Sequence, residues 1–435
     1  MSRSMKDSGV AWIGEIPKEW KISRIKNLFE LRNERSYEAL EDVNLISLYT
    51  DKGVVQHSDL TETTGNKAVN ADGYKIVKEN DIVVNIILCW MGAVGRSDYN
   101  GVTSPAYDVY KPYPNTNSKY FHYLFRTPQF NGECYRYGRG IMMMRWRTYS
   151  TEFKAINIPI PSTKEQQRIV DMLDKKCSEV NTLIANQHKQ IEKLKQYKQS
   201  LITEIVTKGL NSDVEMKYSD VEWIEKIPSD WSVHTLKGVF SFSKGLPITK
   251  ADLVEKGTAV ISYGQIHAKY NCSTHVDERL LRYVPDTFAE THPQCFVKKE
   301  DFIFADTSED VAGSGDFVYI DTDEPIFAGY HTIVLKPKKE QKNRYLAYLF
   351  MSDMWKKQIQ CRVSGVKLFS ISRGILGKVS YILPPEKEQE EISNFLEDKC
   401  RQIDRLISIK QQKIDKLNQY KKSIIYEYVT GKKEA

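Results

Sequence analysis

The sequence predicts an α+β fold that is built twice, with a long helix after each α+β module. Two observations support this prediction. The order of sequence blocks repeats from one end of the 435-residue chain to the other, and each copy ends in an extended heptad pattern of apolar residues. A repeat of this length indicates two structural units of the same kind. The copies differ mainly in the segments between the blocks, where surface loops tolerate insertions.

The repeated blocks begin near the N-terminus of each copy and end in the long helices. Residues 161–207 align without a gap to residues 384–430. Shorter blocks at 109–112 and 120–125 return at 334–337 and 345–350. The first block has the pattern W-I-x-x-I-P-x-x-W, formed by Trp12, Ile13, Ile16, Pro17 and Trp20 in copy one and by Trp223, Ile224, Ile227, Pro228 and Trp231 in copy two.

The modules themselves are predicted to be mixed α+β structures. Short apolar and aromatic runs alternate with Gly, Pro, Asn and Asp over residues 10–158 and 221–381, which is typical of several short strands. We therefore expect a first module at 1–160, a first long helix at 161–210, a second module at 211–383 and a second long helix at 384–435.

Both long helices show apolar residues at alternating steps of three and four, which predicts a coiled coil. Two positions of this seam are polar in both copies, Gln187 with Lys410 and Lys198 with Lys421. Polar residues at matching places fix register, so each helix is expected to pair with the other. The seam is formed by Leu173, Cys177, Val180, Ile184, Ile191 and Leu194 in the first helix and by Leu396, Cys400, Ile403, Ile407, Ile414 and Leu417 in the second.

Composition sets broad limits. A hydrophobic content of 41% allows substantial cores, and a formal charge of +6 permits a polyanionic partner without requiring one. The seven cysteines form no CxxC pair, which indicates reduced thiols. Because no signal peptide or membrane-spanning run is apparent, we expect a cytoplasmic protein without membrane contact.

Two motifs indicate a family. The string W-x-G-x-I-P-x-x-W occupies residues 12–20, and both long helices start with P-x-x-x-E-Q, at 161–166 and 384–389. These paired motifs, in this order around two globular regions, resemble the specificity subunits of type I restriction-modification systems over essentially the whole chain. One departure is that Gly14 of the first motif corresponds to Glu225 in copy two.

The resemblance implies that each module is a target recognition domain reading one half of a bipartite, asymmetric DNA site. It also implies that the long helices form an antiparallel coiled coil that spaces the half-sites. The implied partners are double-stranded DNA, two adenine methyltransferase subunits and, beyond these, two motor-nuclease subunits. S-adenosylmethionine, ATP and Mg would belong to those partners, so this chain is expected to hold no cofactor and no catalytic residue. Consistent with this, the sequence contains no phosphate-loop, dinucleotide-binding or methyltransferase motif.

Basic and amide side chains bind phosphates and base edges, so they are the candidate DNA contacts. The densest stretch is 135–147, where four arginines alternate with aromatics, and 362–370 lies in register with it. Residues 263–269 would present donors on one face if they formed a strand, although a solvated strand face is an alternative. The candidates are Arg96, Arg136, Arg139, Arg145, Arg147, Tyr263, Gln265, His267, Lys269, Arg362, Lys367 and Arg373.

Some residues and the function itself have alternative interpretations. Trp146, Phe369 and the methionines at 142–144 are expected to be core residues rather than DNA contacts. The spacing Cys272-x-x-His275 with His292-x-x-Cys295 resembles a zinc site, but it occurs in one copy only and we expect no metal. The rival functions are a coiled-coil structural adaptor without sequence-specific DNA recognition, and a self-contained DNA-modifying enzyme.

Overall fold

The computed structural model describes residues 3–59, 72–141, 146–339 and 341–435. The chain divides into two compact units: unit 1 comprises residues 1–188 and 411–435, and unit 2 comprises residues 189–410. Each unit thus combines one α+β module with part of each long helix. The predicted boundaries divide the chain into consecutive segments. The compact units instead group residues that pack together, so each unit includes segments that are distant in the sequence.

Unit 1 contains short strands followed by three short helices. The first two of these helices have side-chain caps where they begin: Asn117 accepts from the backbone of Lys119 and Tyr120, and Thr127 accepts from that of Phe130. The elements are β1 Met5–Asp7, β2 Glu15–Pro17, β3 Lys21–Arg24, β4 Phe29–Leu31, β5 Arg35–Ser36, β6 Ile46–Tyr49, β7 Gly53–Gln56, β8 Tyr74–Val77, β9 Ile82–Asn85, β10 Val94–Arg96, β11 Gly101–Thr103, β12 Tyr107–Pro112, α1 Ser118–Phe125, α2 Pro128–Tyr137, α3 Ser150–Ala155 and β13 Asn157–Ile160.

The core of unit 1 lies between an antiparallel sheet and the short helices. The sheet has the strand order β10-β9-β12-β4, and Val109 pairs with Val83 in its centre. Phe125 packs with tilted geometry against Phe130, with ring centroids 4.7 Å apart, and edge-on against Phe153. Such aromatic contacts bury large areas and fix the helices on the sheet.

Unit 2 begins with short strands and ends with short helices and a final strand, as unit 1 does, but it has additional short helices among its strands. Its elements are β14 Met216–Val221, β15 Ile224–Pro228, β16 Ser232–Thr235, α5 Leu236–Val239, β17 Phe240–Lys244, β18 Thr258–Ile261, α6 Tyr263–Ile266, β19 Arg282–Val284, α7 Thr287–Thr291, β20 Phe296–Val297, β21 Phe302–Ala305, β22 Thr307–Ser308, β23 Phe317–Tyr319, β24 Ile326–Ala328, β25 Thr332–Pro337, α8 Arg344–Met351, α9 Asp353–Gln360, β26 Phe369–Ser370, α10 Arg373–Gly377 and β27 Ser380–Leu383.

Two sheets build the core of unit 2. One has the order β17-β25-β21-β23 and corresponds to the main sheet of unit 1. The other has the order β19-β18-β24-β20, and in it β18 and β24 run parallel. Phe350 stacks on Trp355 with ring centroids 4.1 Å apart, and both are fully buried beneath the first sheet. The predicted α+β class is therefore confirmed in both modules.

The long helices are α4, Thr163–Lys208, and α11, Glu386–Val429. In unit 2, Lys198 Nζ lies 2.7 Å from an Asp404 oxygen and Lys410 Nζ lies 2.6 Å from Gln190 Oε1. Partner numbers therefore fall along α11 as they rise along α4, so the segments are antiparallel.

Unit 1 contains the equivalent contact, in which Lys421 Nζ donates to Asn181 Oδ1 at 2.8 Å. The predicted seam lies inside this pairing. Its residues are buried or half-buried: Leu173, Val180, Ile184, Ile191, Leu194, Leu396, Ile403, Ile407, Ile414 and Leu417. The prediction that the helices pair with each other is confirmed.

Candidate nucleic-acid interface

The module of unit 1 is fastened to both long helices by buried hydrogen bonds. Trp20 is fully buried, and its Nε1 donates to Glu165 Oε2 at 2.9 Å in the first turn of α4. Tyr120 of α1 donates its hydroxyl to the carbonyl oxygen of Val429 at 2.7 Å, where α11 ends. Buried donors need partners, so these bonds fix where the module sits on the helices.

Unit 2 repeats both bonds with the corresponding residues. Trp231 Nε1 donates to Glu388 Oε2 at 2.9 Å, and the Tyr345 hydroxyl donates to the carbonyl oxygen of Val206 at 2.9 Å. Burial raises the pKa of Glu388, and the hydrogen bond from Trp231 opposes that rise. We call these four bonds the helix anchors. Trp20 and Trp231 are thus structural residues.

A short hairpin follows α9 in unit 2 and includes the predicted stretch 362–370. Ser364 and Ser370 form a bridge across it, and β26 pairs with β22, which ties the hairpin to the loop at 306–316. A β-carbon at Gly365 would overlap the carbonyl oxygen of Leu368, so the turn requires glycine. Of the predicted contacts here, Arg362, Lys367 and Arg373 are all exposed.

The equivalent hairpin of unit 1 follows α2. Arg139 and Arg147 exchange two backbone hydrogen bonds of 2.9 Å. Trp146 stacks on Tyr135 with ring centroids 4.9 Å apart, and its Nε1 donates to the Tyr135 carbonyl oxygen at 2.9 Å. Trp146 is thus held by this stacking and hydrogen bond, but it is half-buried and does not belong to the core, where it was predicted to lie. Arg145 and the methionines at 142–144 lie outside the described residues.

The arginines of this hairpin combine internal ion pairs with solvent exposure. Arg136 contacts Glu133 at 2.6 Å and Arg139 contacts Glu152 at 3.1 Å, yet their side chains remain 64% and 76% exposed. Arg147 is half-buried. Arg136 and Arg139 therefore keep donors available to an external phosphate.

Arg96 has a different environment from the other predicted contacts. Its side chain is only 14% exposed and pairs with Asp98 at 2.7 Å and with Asn80 Oδ1 at 2.9 Å. Its backbone N–H donates to His122 Nδ1 at 3.1 Å. Burial and the neighbouring Arg126 lower the pKa of His122 to about 3, so the ring stays neutral and can accept this bond. Arg96 is thus committed to internal contacts.

Residues 263–269 do not form the strand on which their shared polar face depended. Residues 263–266 form a helical turn, α6, because Ser262 and Gln265 form a capping box in which Gln265 Oε1 accepts from the Ser262 backbone at 3.1 Å. The polar side chains therefore do not share one strand face. Tyr263 packs edge-on against Tyr330 and His331, and Lys269 is exposed.

His267 belongs to a charged network that sequence reasoning missed. Its Nδ1 lies 3.1 Å from Asp316 Oδ2, its Nε2 lies 2.9 Å from the Thr307 carbonyl oxygen, and Lys356 Nζ contacts Asp316 at 2.7 Å. The hydrogen bond with Asp316 raises the pKa of His267. This network braces the loop at 306–316, which in turn pairs with the hairpin. The members of the network lie far apart in the sequence, at positions 267, 316 and 356. No local sequence pattern therefore indicates that they meet.

The zinc alternative is not supported by the positions of its four residues. Cys272 Sγ lies 3.0 Å from His275 Nδ1, whereas Cys295 Sγ contacts the Lys244 carbonyl oxygen and His292 contacts Thr291. Within the described ranges, no group of three or more His, Cys, Asp or Glu side chains could hold a metal ion. None of the described helices combines the length and apolar character that a membrane crossing requires.

A family model described as the type I restriction modification DNA specificity domain matches residues 17–193 and 228–419. This chain belongs to that family. In it, the specificity subunit is the DNA recognition component and carries no catalytic function. The match covers both modules together with most of both long helices, so the repeat, the helices and the family assignment agree.

Two relatives come from Methanocaldococcus jannaschii. The type I restriction enzyme MjaVIII specificity subunit is 24% identical over 425 residues, covering 96% of this chain and 93% of the relative. The putative type I restriction enzyme MjaX specificity subunit is 24% identical over 439 residues, covering 97% and 95%. A chain from a solved structure on assembly and conformational transition of the type I restriction-modification system is 14% identical, with a TM-score of 0.67 and coverage of 95% and 98%. That likeness supports the fold.

Proposed function

We propose that this specificity subunit reads a bipartite, asymmetric DNA site, one half-site for each unit. Base reading would be performed by the exposed hairpins and neighbouring loops, with phosphate contacts from Arg136, Arg139, Arg362 and Lys367. Because the reading surfaces of the two units differ in sequence, the two half-sites should differ as well.

The observation that carries this proposal is the repetition of the helix anchors. Trp20 and Tyr120 in unit 1, and Trp231 and Tyr345 in unit 2, hold each module to α4 and α11 with the same buried bonds. A module that is fixed to a stiff helix cannot adjust freely to a different DNA spacing. We therefore infer that helix length sets the spacer between the half-sites.

The proposed partners follow from the same duplication. Each unit contains an equivalent part of the helix pair, which offers two similar docking surfaces and favours two adenine methyltransferase subunits, with two motor-nuclease subunits joining the complex. Those subunits would hold S-adenosylmethionine, ATP and Mg, and this chain would bind duplex DNA. Such a complex would act in the cytoplasm, where its DNA substrate is found.

Paired deletions test the spacing mechanism. Removal of residues 186–192 from α4 together with residues 409–415 from α11 takes one heptad from each helix. Each helix becomes about 10 Å shorter, which is close to the rise of three base pairs at ~3.4 Å each. Methylome sequencing of a host that expresses the variant with its partner subunits should then show both half-sites unchanged and a shorter spacer.

The matched control removes residues 186–192 alone. This deletion breaks the pairing of the two helices and should abolish site-specific methylation. An unchanged spacer in the paired deletion would refute the spacing mechanism. Selective methylation that persists in the single deletion would refute the role of helix pairing.

A further inference from the structure

The hairpin of unit 2 presents apolar side chains to solvent at its tip. Val366 is 96% exposed and Leu368 is 54% exposed, with Lys367 between them. The turn is held by the Ser364–Ser370 bridge and by the requirement for glycine at 365. These exposed side chains bury little of their area within the unit, which leaves them available to an external partner.

Charge identifies the kind of partner. Residues 361–374 include Arg362, Lys367 and Arg373 and contain no acidic residue. The adjoining loop contributes the exposed Glu309 and Asp310, so carboxylates occur beside the hairpin but not on it. Aliphatic groups flanked by cations suit a DNA groove, where cations bind phosphates and aliphatic groups contact bases.

The basic hairpin of unit 1 also has an exposed aliphatic residue among its described positions, although the two sequences differ. Ile141 is 93% exposed and follows Arg139 in the equivalent hairpin. Residues 134–149 contain four arginines and no acidic residue. A β-branched residue is thus exposed in the basic hairpin of each unit. This recurrence favours a common role for the two residues.

We propose that Val366 and Leu368 make direct apolar contacts with bases of the half-site that unit 2 reads, while Lys367 contacts the phosphate backbone. This inference rests on the proposed function and adds the residues that discriminate sequence. Thymine methyl groups in the major groove, or a base step opened from the minor groove, are the DNA surfaces that aliphatic side chains contact.

The test uses the complex reconstituted with its methyltransferase subunits. One duplex carries the site assigned by methylome sequencing of cells with the wild-type complex, and a second has both half-sites scrambled. The double variant Val366→Ser with Leu368→Ser should bind the assigned site about tenfold more weakly. Its affinity for the scrambled duplex and the salt dependence of binding should not change, because apolar contacts release no counterions.

Two matched variants separate the contributions. Lys367→Gln should weaken binding to both duplexes and reduce the salt slope by about one, as expected for a lost phosphate contact. Val254→Ser replaces another exposed valine of unit 2, which pairs with Tyr283 and not with the hairpin, and should leave both affinities unchanged.

Three results would overturn the inference: equal losses on both duplexes in the double variant, no loss on either, or impaired assembly with the methyltransferase, which would make the tip a protein contact. Size-exclusion chromatography of the complex detects the last of these. If the wild-type complex itself failed to distinguish the two duplexes, the proposed function would fail instead.

Discussion

Units 1 and 2 share their attachment to the long helices and differ in the surfaces that face solvent. The four helix anchors use the same residue types at the same places, Trp with Glu and Tyr with a helix-end carbonyl. By contrast, the hairpin of unit 1 is rich in arginine, whereas that of unit 2 has fewer basic residues. The smaller sheets differ as well: the described residues of unit 1 form β11-β8-β5 and β6-β7, and unit 2 forms the four-stranded sheet β19-β18-β24-β20. Attachment of a module to the long helices requires the same geometry in both units. Recognition of different DNA bases requires different side chains.

The helix pair shows the same contrast on a smaller scale. Lys198 faces Asp404 in unit 2, and the corresponding Lys421 faces Asn181 in unit 1. The position of the lysine is retained while its partner changes from a carboxylate to an amide. The contact in unit 2 is therefore an ion pair and that in unit 1 is a hydrogen bond between a lysine and an amide. Mutation of these residues should affect the stability of the two units differently.

The largest effect is expected from the buried tryptophans. Trp231→Ala should destabilise unit 2 by about 3–5 kcal/mol, because it leaves a cavity and removes the bond to Glu388. Hydrogen exchange should rise throughout unit 2. Trp231→Phe is the control, since it keeps most of the volume and should cost much less. Equal exchange in the Ala variant and the wild type would contradict the anchor role.

The tyrosine anchors should give a smaller and matched effect. Tyr345→Phe leaves the buried Val206 carbonyl without its partner and should cost about 1–2 kcal/mol in unit 2, with Tyr120→Phe giving a similar loss in unit 1. Hydrogen exchange resolved by peptide can follow each unit separately. If only one of the two variants were destabilised, the equivalence of the anchors would be wrong.

The network around His267 should make the stability of unit 2 depend on pH. Because the pKa of His267 is raised in the folded state by Asp316, its stabilising contribution is complete below the unfolded value near 6.5. It is lost as pH rises through the higher folded value. Lys356 and Asp310 also face this network. Exchange at residues 306–316 should increase over that range in the wild type, and His267→Gln should remove the dependence.

The smallest effect is expected in the helix pair. Asn181→Asp would place a carboxylate opposite Lys421 and should stabilise unit 1 by about 0.5 kcal/mol, less at high salt. Asp404→Asn should lower the stability of unit 2 by a similar amount. Denaturant midpoints at low and high salt would measure both. A stabilisation of unit 1 that did not respond to salt would show that the new carboxylate acts through something other than charge.

Sequence reasoning succeeded where its signal was repeated or periodic. The seam from Leu173 to Leu417 follows from heptad spacing, and the module order follows from the internal repeat. It failed at residues 263–269, where alternation suggested a strand but the local capping box of Ser262 with Gln265 stabilises a helical turn. A short alternation of polar residues stabilises a strand less than a capping box stabilises the start of a helix.

The amino-acid sequence by itself determined the duplication, the α+β class, the paired helices and the family, because periodic burial and ordered motifs are written along the chain. Tertiary structure alone decided which arginines remain exposed, that His267 meets Asp316 and Lys356, and that Val366 stands at a hairpin tip. Those properties depend on residues that are distant in sequence and adjacent in space. For such loop residues, exposure and the choice of partner are set by tertiary packing, which the neighbouring sequence does not encode.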